Sequence, residues 1–145
     1  MKLSLKILIL SLYFSMFHSV FAQVGINTTL PLSTLDINGN LSVKTVTLIG
    51  SSTATNISDG VYISVNPQLT DQEFMLPSPI TFPGRIYIVR NISNTVTAKL
   101  TTSAGQFFFK HTTSGGTGAI YMYEGVGNNR TLIITSDGLN WTVFN

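Results

Sequence analysis

The hydrophobic residues of this chain alternate with polar ones over short stretches, which is the spacing of β-strands. The alternation is clearest near the end of the chain, where β-branched residues recur through residues 131–135. Asp137 and Gly138 then favour a tight turn, because Gly takes a positive φ without a Cβ penalty and Asp bonds the local backbone. A second strand around Trp141 can fold back on the first. The sequence therefore predicts a closing β-hairpin.

The same pattern of short strands and turn residues continues through most of the chain. Strands that alternate with turns about every 8–12 residues are typical of a β-sandwich or barrel. We therefore predict an all-β fold, a small antiparallel β-sandwich or barrel-like domain over residues 51–145. An N-terminal extended arm over residues 23–50 precedes it. Besides the hairpin, strands are predicted at 41–49, 61–65, 85–92, 95–101, 106–110 and 119–124, with a short apolar run at 74–76.

Residues 1–22 have the features of a cleaved export signal. Lys2 and Lys6 flank the start of an apolar run over residues 7–17, which is short for a bilayer span. Small residues before Gln23 match what a signal peptidase reads, so cleavage is expected after Ala22. We expect a secreted or cell-surface protein, with the periplasm as the alternative and no membrane span in the mature chain. A retained membrane anchor is the competing interpretation of the same run.

The charge and the cysteine content of the chain exclude or disfavour several kinds of binding partner and functional site. Without the first 22 residues the chain keeps six basic and six acidic residues, a formal net charge of zero. A neutral domain does not favour nucleic-acid binding by phosphate neutralisation, nor a polybasic membrane patch. The chain contains no cysteine, which excludes disulfides, thiolate nucleophiles and cysteine-ligated metals. Without disulfides, stability must come from burial, to which oligomerisation can add.

The sequence carries no recognisable catalytic or metal-binding constellation. His111 is the single histidine after residue 22 and follows Lys110 beside a loop, so a solvated loop residue is the expected role. Asp71 and Glu73 are the nearest carboxylate pair, but proline flanks their segment and a loop there is predicted. A hydrolase would need two carboxylates across a cleft. We predict no cofactor, no metal and no enzymatic activity.

Three aromatic residues are candidates for binding a sugar. Tyr121 and Tyr123 share one face of a predicted strand, and Trp141 follows the hairpin turn. Aromatic faces can stack on the apolar face of a sugar ring, although aromatic residues on strands more often fill a core or a subunit interface.

Other apolar residues are candidates for an oligomer interface. Phe107, Phe108 and Phe109 are consecutive, so they cannot all face one side of a strand. Either both faces of that strand are covered, or a bulge redirects one ring. Leu35 and Ile37 share one face of a short predicted strand in the arm, which is too small to fold without a neighbouring surface.

Two parts of the sequence resemble a known family. VGINTTLPLSTLDINGNLSV, at residues 24–43, resembles the "GIGT…P…LDVNG" segment of many secreted flavobacterial proteins and phage tail-fibre proteins. Asn27 stands where that pattern has a second Gly, and the segment occurs once. VYISVN, FMLPSP, PGRIYIVRNIS and TLIITSDGLNW resemble, in order, a β-domain at the ends of tail-fibre-like proteins. The matching residues are Gly25, Ile26, Thr28, Pro31, Leu35, Asp36, Ile37, Asn38, Gly39, Leu76, Pro77, Gly84, Arg85, Tyr87, Asn91, Ser136, Asp137, Gly138, Asn140 and Trp141.

The resemblance implies a surface or fibre-tip module, often trimeric, and no catalytic residue. The first hypothesis is therefore a secreted, non-catalytic structural or adhesive module that forms a homo-oligomer, with a trimer favoured. The alternative is a lectin-like domain that binds a carbohydrate or cell-surface glycan through exposed aromatic residues.

Overall fold

The computed structural model describes residues 6–7, 23–109, 112–123 and 129–144 of the chain. The expected signal segment and its cleavage point after Ala22 therefore lie almost entirely outside the described residues. The chain divides into two compact units, Met1–Ser42 and Val43–Asn145. The described residues form the strands β1 Val24–Ile26, β2 Leu35–Ile37, β3 Thr45–Ile49, β4 Thr55–Asn56, β5 Tyr62–Asn66, β6 Gln72–Leu76, β7 Ile86–Asn91, β8 Ala98–Thr102, β9 Phe107–Phe109, β10 Ile120–Met122, β11 Thr131–Ser136 and β12 Trp141–Phe144.

The smaller unit is folded back on itself rather than simply extended. Strands β1 and β2 pair in parallel. The connecting loop leaves β1 at Asn27, which has a φ of 58° and whose Nδ2 donates to the Asn38 carbonyl at 3.0 Å. Asn tolerates this left-handed conformation better than most residues with a side chain. Gly adopts the same backbone conformation without a Cβ penalty.

The larger unit consists of two sheets packed as a sandwich. The six-stranded sheet has the order β3-β5-β7-β11-β12-β9, and the four-stranded sheet has the order β10-β8-β6-β4. Alternate residues of each sheet point into one apolar core, as the period of a strand requires. This confirms the predicted all-β, sandwich-like class. The fully buried large side chains are Trp141, Tyr87, Phe74, Phe107, Ile57, Ile63, Leu76, Leu100, Met122, Leu132, Ile134 and Val65.

The strand pairing is mixed, which differs from the antiparallel sandwich that the sequence predicted. Among the described strands, β7–β11, β11–β12 and β8–β10 are the antiparallel pairs, and the others are parallel. From β3 to β10 each successive strand lies in the opposite sheet from the one before it. Neighbours within a sheet are therefore joined through a strand of the other sheet, and such a crossover allows parallel pairing. Hydrophobic periodicity reports which face is buried, not which strands are neighbours.

The β-domain begins earlier than residue 51. Strand β3, placed in the arm by the sequence, pairs in parallel with β5 along its whole length. Val46 and Leu48 of β3 pack against the core, and the compact unit begins at Val43. The sequence pattern predicts an isolated strand here because β5, with which β3 pairs, follows only after a polar loop.

Candidate functional site

The six-stranded sheet presents an apolar row on the face that points away from the core. Ile88 of β7 lies directly opposite Tyr62 of β5 and Ile133 of β11, and Ile133 also lies opposite Phe144 of β12. These four residues, here called the outer row, therefore cross four adjacent strands in register. Ile133 and Phe144 are 46% and 44% exposed. Directly opposed side chains on one face lie close enough to form a continuous surface.

The rest of this outer face is almost free of charge. A second row runs through Ile86, Thr135, Thr142 and Phe108, each opposite the next on neighbouring strands. Arg90 is the single charged residue among the strand residues that the structure describes on this face. Charged side chains are what normally keep an exposed sheet face solvated. The outer face therefore has the composition of a contact surface.

The outer row is not among the residues that the sequence pattern predicts to bind a partner. The available signal was that residues 85–92 are apolar on both faces of the predicted strand. That pattern is typical of a central strand covered on both sides. The strand is indeed central in its sheet, but among the described residues the four-stranded sheet covers only one of its faces.

The three-phenylalanine run is divided between the two faces of the sheet. Phe107 is buried in the core and Phe109 packs against it, so Phe107 does not serve as an interface residue. Phe108 points to the outer face and is half-buried. A Cβ added at Gly115 would lie 2.5 Å from the Phe108 ring, which shows that the chain's own loop covers part of this ring. No bulge is needed, because successive residues of a strand alternate in direction.

The predicted interface residues of the arm lie in the smaller unit. Leu35 is 55% exposed and Ile37 is half-buried. Val24 and Ile26 on the paired strand are likewise more than half exposed. The smaller unit thus leaves apolar side chains uncovered, as expected of a two-stranded element with little core of its own.

The outer face of the four-stranded sheet is polar. Tyr121 of β10 lies opposite Lys99 of β8, which in turn lies opposite Glu73 of β6. The Lys99 ammonium donates to Glu73 Oε2 at 3.0 Å, and the Thr101 hydroxyl donates to Glu73 Oε1 at 2.8 Å. The Thr101 hydrogen bond, followed by the Lys99 contact, lowers the pKa of Glu73. Glu73 in turn raises the pKa of Lys99.

A shallow cleft adjoins this polar face. It has a volume of about 340 Å³ and is lined by residues 51–54 and 69–73. Glu73 was predicted to lie in a loop but belongs to strand β6, and Asp71 just before it has a φ of 63°. The prolines that suggested a loop, Pro67 and Pro77, lie outside the strand on either side of it. Serine and threonine hydroxyls, amides and carboxylates line the cleft, and such groups can bind a sugar's hydroxyls.

The three aromatic candidates for sugar stacking do not form one platform. Tyr121 and Tyr123 are 41% and 53% exposed, whereas Trp141 has no exposed surface. The Trp141 ring packs on Tyr87 with centroids 5.7 Å apart, and its Nε1 donates to Thr102 Oγ1 at 3.0 Å. Trp141 is therefore a core residue and not a stacking surface. Its position opposite the inner face of the second sheet follows from strand alternation after the turn.

The described parts of the chain hold no group of three or more histidine, cysteine or acidic residues that could bind a metal ion. No helix among those residues is both long and apolar enough to cross a membrane. His111 lies outside the described residues. No protein-family model matches the chain, and neither does a curated protein or a solved structure.

Proposed function

We propose that this protein is an exported, non-catalytic structural or adhesive module that works as a homo-oligomer. The observation that supports the proposal best is the outer row, formed by Tyr62, Ile88, Ile133 and Phe144. A contiguous, uncharged apolar surface on a sheet is a typical site of protein contact. The row is built from four strands of one rigid sheet, so it presents a fixed shape to its partner.

Two further features agree with self-association. The smaller unit leaves Val24, Ile26 and Leu35 more than half exposed, and the resemblance to tail-fibre-like proteins implies assembly, often into trimers. The expected location is the cell surface or the medium, reached through a cleaved signal. The resemblance implies three chains in the oligomer, and the mass in solution measures that number.

The test is the solution mass of residues 23–145 by light scattering across a dilution series. We expect a species heavier than one chain that dissociates on dilution. Ile133→Lys should raise the dissociation constant at least about tenfold, because an unpaired ammonium would be buried in the contact. Ile80→Lys is the matched control, since Ile80 is 63% exposed in a turn outside the sheets. Equal dissociation constants for the two variants would contradict a contact through the outer row.

Carbohydrate binding is the second candidate function, and one observation favours it. The exposed Tyr121 ring stands in register with the Lys99 and Glu73 ion pair on the same sheet face, and Glu73 lines the polar cleft. The ring would supply the stacking face, and the cleft would supply the hydrogen-bonding groups.

A glycan array probed with residues 23–145 tests this second candidate. Tyr121→Ala should weaken binding to the bound glycans about tenfold or more, because it removes the stacking ring. Tyr62→Ala, on the opposite sheet, should leave binding unchanged. An array with no bound glycan, or equal binding by Tyr121→Ala and the unaltered chain, would exclude a sugar site at this face.

A further inference from the structure

Strand β3 forms one edge of the six-stranded sheet. It pairs with β5 on one side, and no strand of the described residues lies on its other side. Its five residues, Thr45–Ile49, contain neither proline nor charge. Thr45, Thr47 and Ile49 are exposed. Proteins usually protect an edge with proline, an inward charge or a bulge, and β3 has none of these.

The hydrogen-bond pattern shows which backbone groups of β3 point outward. The Lys44 carbonyl accepts from Tyr62 N at 3.2 Å, and Gly50 N donates to the Asn66 carbonyl at 3.0 Å. In a parallel pair, alternate residues of a strand bond to the neighbouring strand. The even-numbered residues of this segment therefore face β5. The N–H and C=O groups of Thr45, Thr47 and Ile49 face away from the sheet. Among the described residues, only the Ile49 carbonyl has a contact there, with Thr55 Oγ1 at 3.4 Å.

We propose that β3 pairs with β3 of a second copy, antiparallel, about a two-fold axis at Thr47. This register places Thr47 opposite Thr47 and Thr45 opposite Ile49 of the second copy. Every outward-facing residue of one strand then meets an outward-facing residue of the other. Each such pair exchanges two hydrogen bonds, about six in all. Other registers can also place outward-facing residues opposite one another, but they shift one strand along the other. The outward-facing N–H and C=O groups at the strand ends would then have no residue of the second copy's β3 opposite them.

The chain's own strand suits this edge as an occupant. With Thr47 at the axis, Lys44 lies opposite Gly50, so no like charges face each other. The Lys44 ammonium is already paired with Asp59. Thr45 also lies opposite Tyr62 at one end of the outer row, and the dimer would continue this face across the axis. The two six-stranded sheets would become one twelve-stranded sheet.

The edge pairing rests on the proposed self-association and names one of its contacts. It can be wrong even if the chain does self-associate. A two-fold contact is isologous, so it joins copies in pairs. Light scattering of residues 23–145 that gave only three-copy particles would therefore contradict the edge pairing while leaving self-association intact. A single-copy mass at every concentration would overturn both proposals.

The absence of cysteine makes the register directly testable by single-cysteine cross-linking. In a hydrogen-bonded antiparallel pair, opposed Cα atoms lie about 5.5 Å apart, within the range that a disulfide spans. Thr47→Cys should form a covalent dimer with oxidised glutathione, at least about tenfold faster than Thr45→Cys. Two Thr45 positions would lie about 14 Å apart along the strands. Mixing Thr45→Cys with Ile49→Cys should restore rapid cross-linking as a heterodimer.

Other rate patterns would overturn this arrangement. Equal rates for the Thr47 and Thr45 variants would indicate random collision, and rapid self-linking of Thr45→Cys would indicate a parallel arrangement. Either result excludes the proposed register.

A proline variant tests the edge hydrogen bonds themselves. Thr47→Pro removes an N–H that β5 does not use and blocks the approach of another strand, a substitution that edge strands tolerate. We expect Thr47→Pro to melt within a few degrees of the unaltered chain and to lose the edge dimer. Thr47→Val keeps the N–H and should keep the dimer. A folded Thr47→Pro variant that still dimerises normally would exclude edge pairing, whatever Ile133→Lys does.

Discussion

Three buried polar side chains join parts of the fold that are far apart in sequence. Asn91 Nδ2 on β7 donates to the Met122 carbonyl of β10 at 2.8 Å, which links the two sheets. Ser136 Oγ donates to the Pro79 carbonyl at 3.0 Å, and the Trp141 indole donates to Thr102 of the four-stranded sheet. Buried polar groups are expected to be satisfied in this way.

The same three residues belong to the sequence segments that resemble a tail-fibre-like β-domain. Asn91, Ser136 and Trp141 are all buried, and each makes a hydrogen bond that holds strands or sheets together. Packing alone therefore accounts for these three positions.

At the residue scale, Glu73 should make stability depend on acidity. Its pKa is lowered from 4.5 in the folded state, chiefly by the Thr101 hydroxyl and then by Lys99. A lowered folded-state pKa contributes stability above the unfolded pKa, and this contribution is lost as pH falls through the folded value. We expect Glu73→Gln to reduce the loss of unfolding free energy between about pH 6 and pH 3, by less than about 1 kcal/mol.

Urea unfolding at both pH values measures this difference. Thr101→Val provides a second comparison, because it removes the larger cause of the lowered pKa while keeping the carboxylate. If Glu73→Gln lost as much stability on acidification as the unaltered chain, Glu73 would not contribute to the acid sensitivity.

At the scale of single elements, the closing hairpin formed as its sequence predicts. Strands β11 and β12 pair antiparallel, with Ser136 opposite Trp141. Asp137 Oδ1 accepts from Leu139 N at 2.8 Å and from Asn140 N at 2.6 Å. Gly138 has a φ of 93°, a conformation that residues with a Cβ rarely adopt. All of these interactions are local, and this is why a short stretch of sequence specified them.

The turn conformation leads to a testable difference between two glycines. Gly138→Ala should destabilise the protein by about 1–3 kcal/mol, because alanine is strained at this φ. Gly116→Ala is the matched control, since nothing lies within 4 Å of an added Cβ there and its φ is not in the left-handed region. Thermal or urea unfolding compares the two. Equal stabilities for both variants would show that the turn relaxes without cost.

The sequence-based predictions are wrong for two strands that pair with residues far away in the chain. Strand β3 was placed in the arm, although it pairs with residues beyond a polar loop. The prolines on both sides of the segment around Glu73 predict a loop, but parallel pairing with β8 makes it a strand. In both cases tertiary pairing outweighed the local signal.

For the whole molecule, the division into two units predicts that residues 43–145 fold alone. Among the described residues, every fully buried core residue lies between Ile57 and Val143, so removal of residues 23–42 takes away no core side chain. We expect the shortened chain to unfold cooperatively and to keep the near-ultraviolet circular dichroism of buried Trp141. Its melting temperature should lie within a few degrees of that of residues 23–145. A broad transition without a Trp141 signal would show that the smaller unit is needed for folding.

The sequence by itself determined the strand periodicity, the closing turn and the all-β class, because each depends on neighbouring residues or on a period of two. It also determined that alternate residues of the Phe107–Phe109 run must face opposite sides. Only the tertiary structure decided that Trp141 is buried while Tyr121 is exposed, that the strands pair in a mixed order, and that Ile88, Ile133 and Phe144 align across strands. These features depend on which strands become neighbours, and that choice is made by packing between residues far apart in the chain.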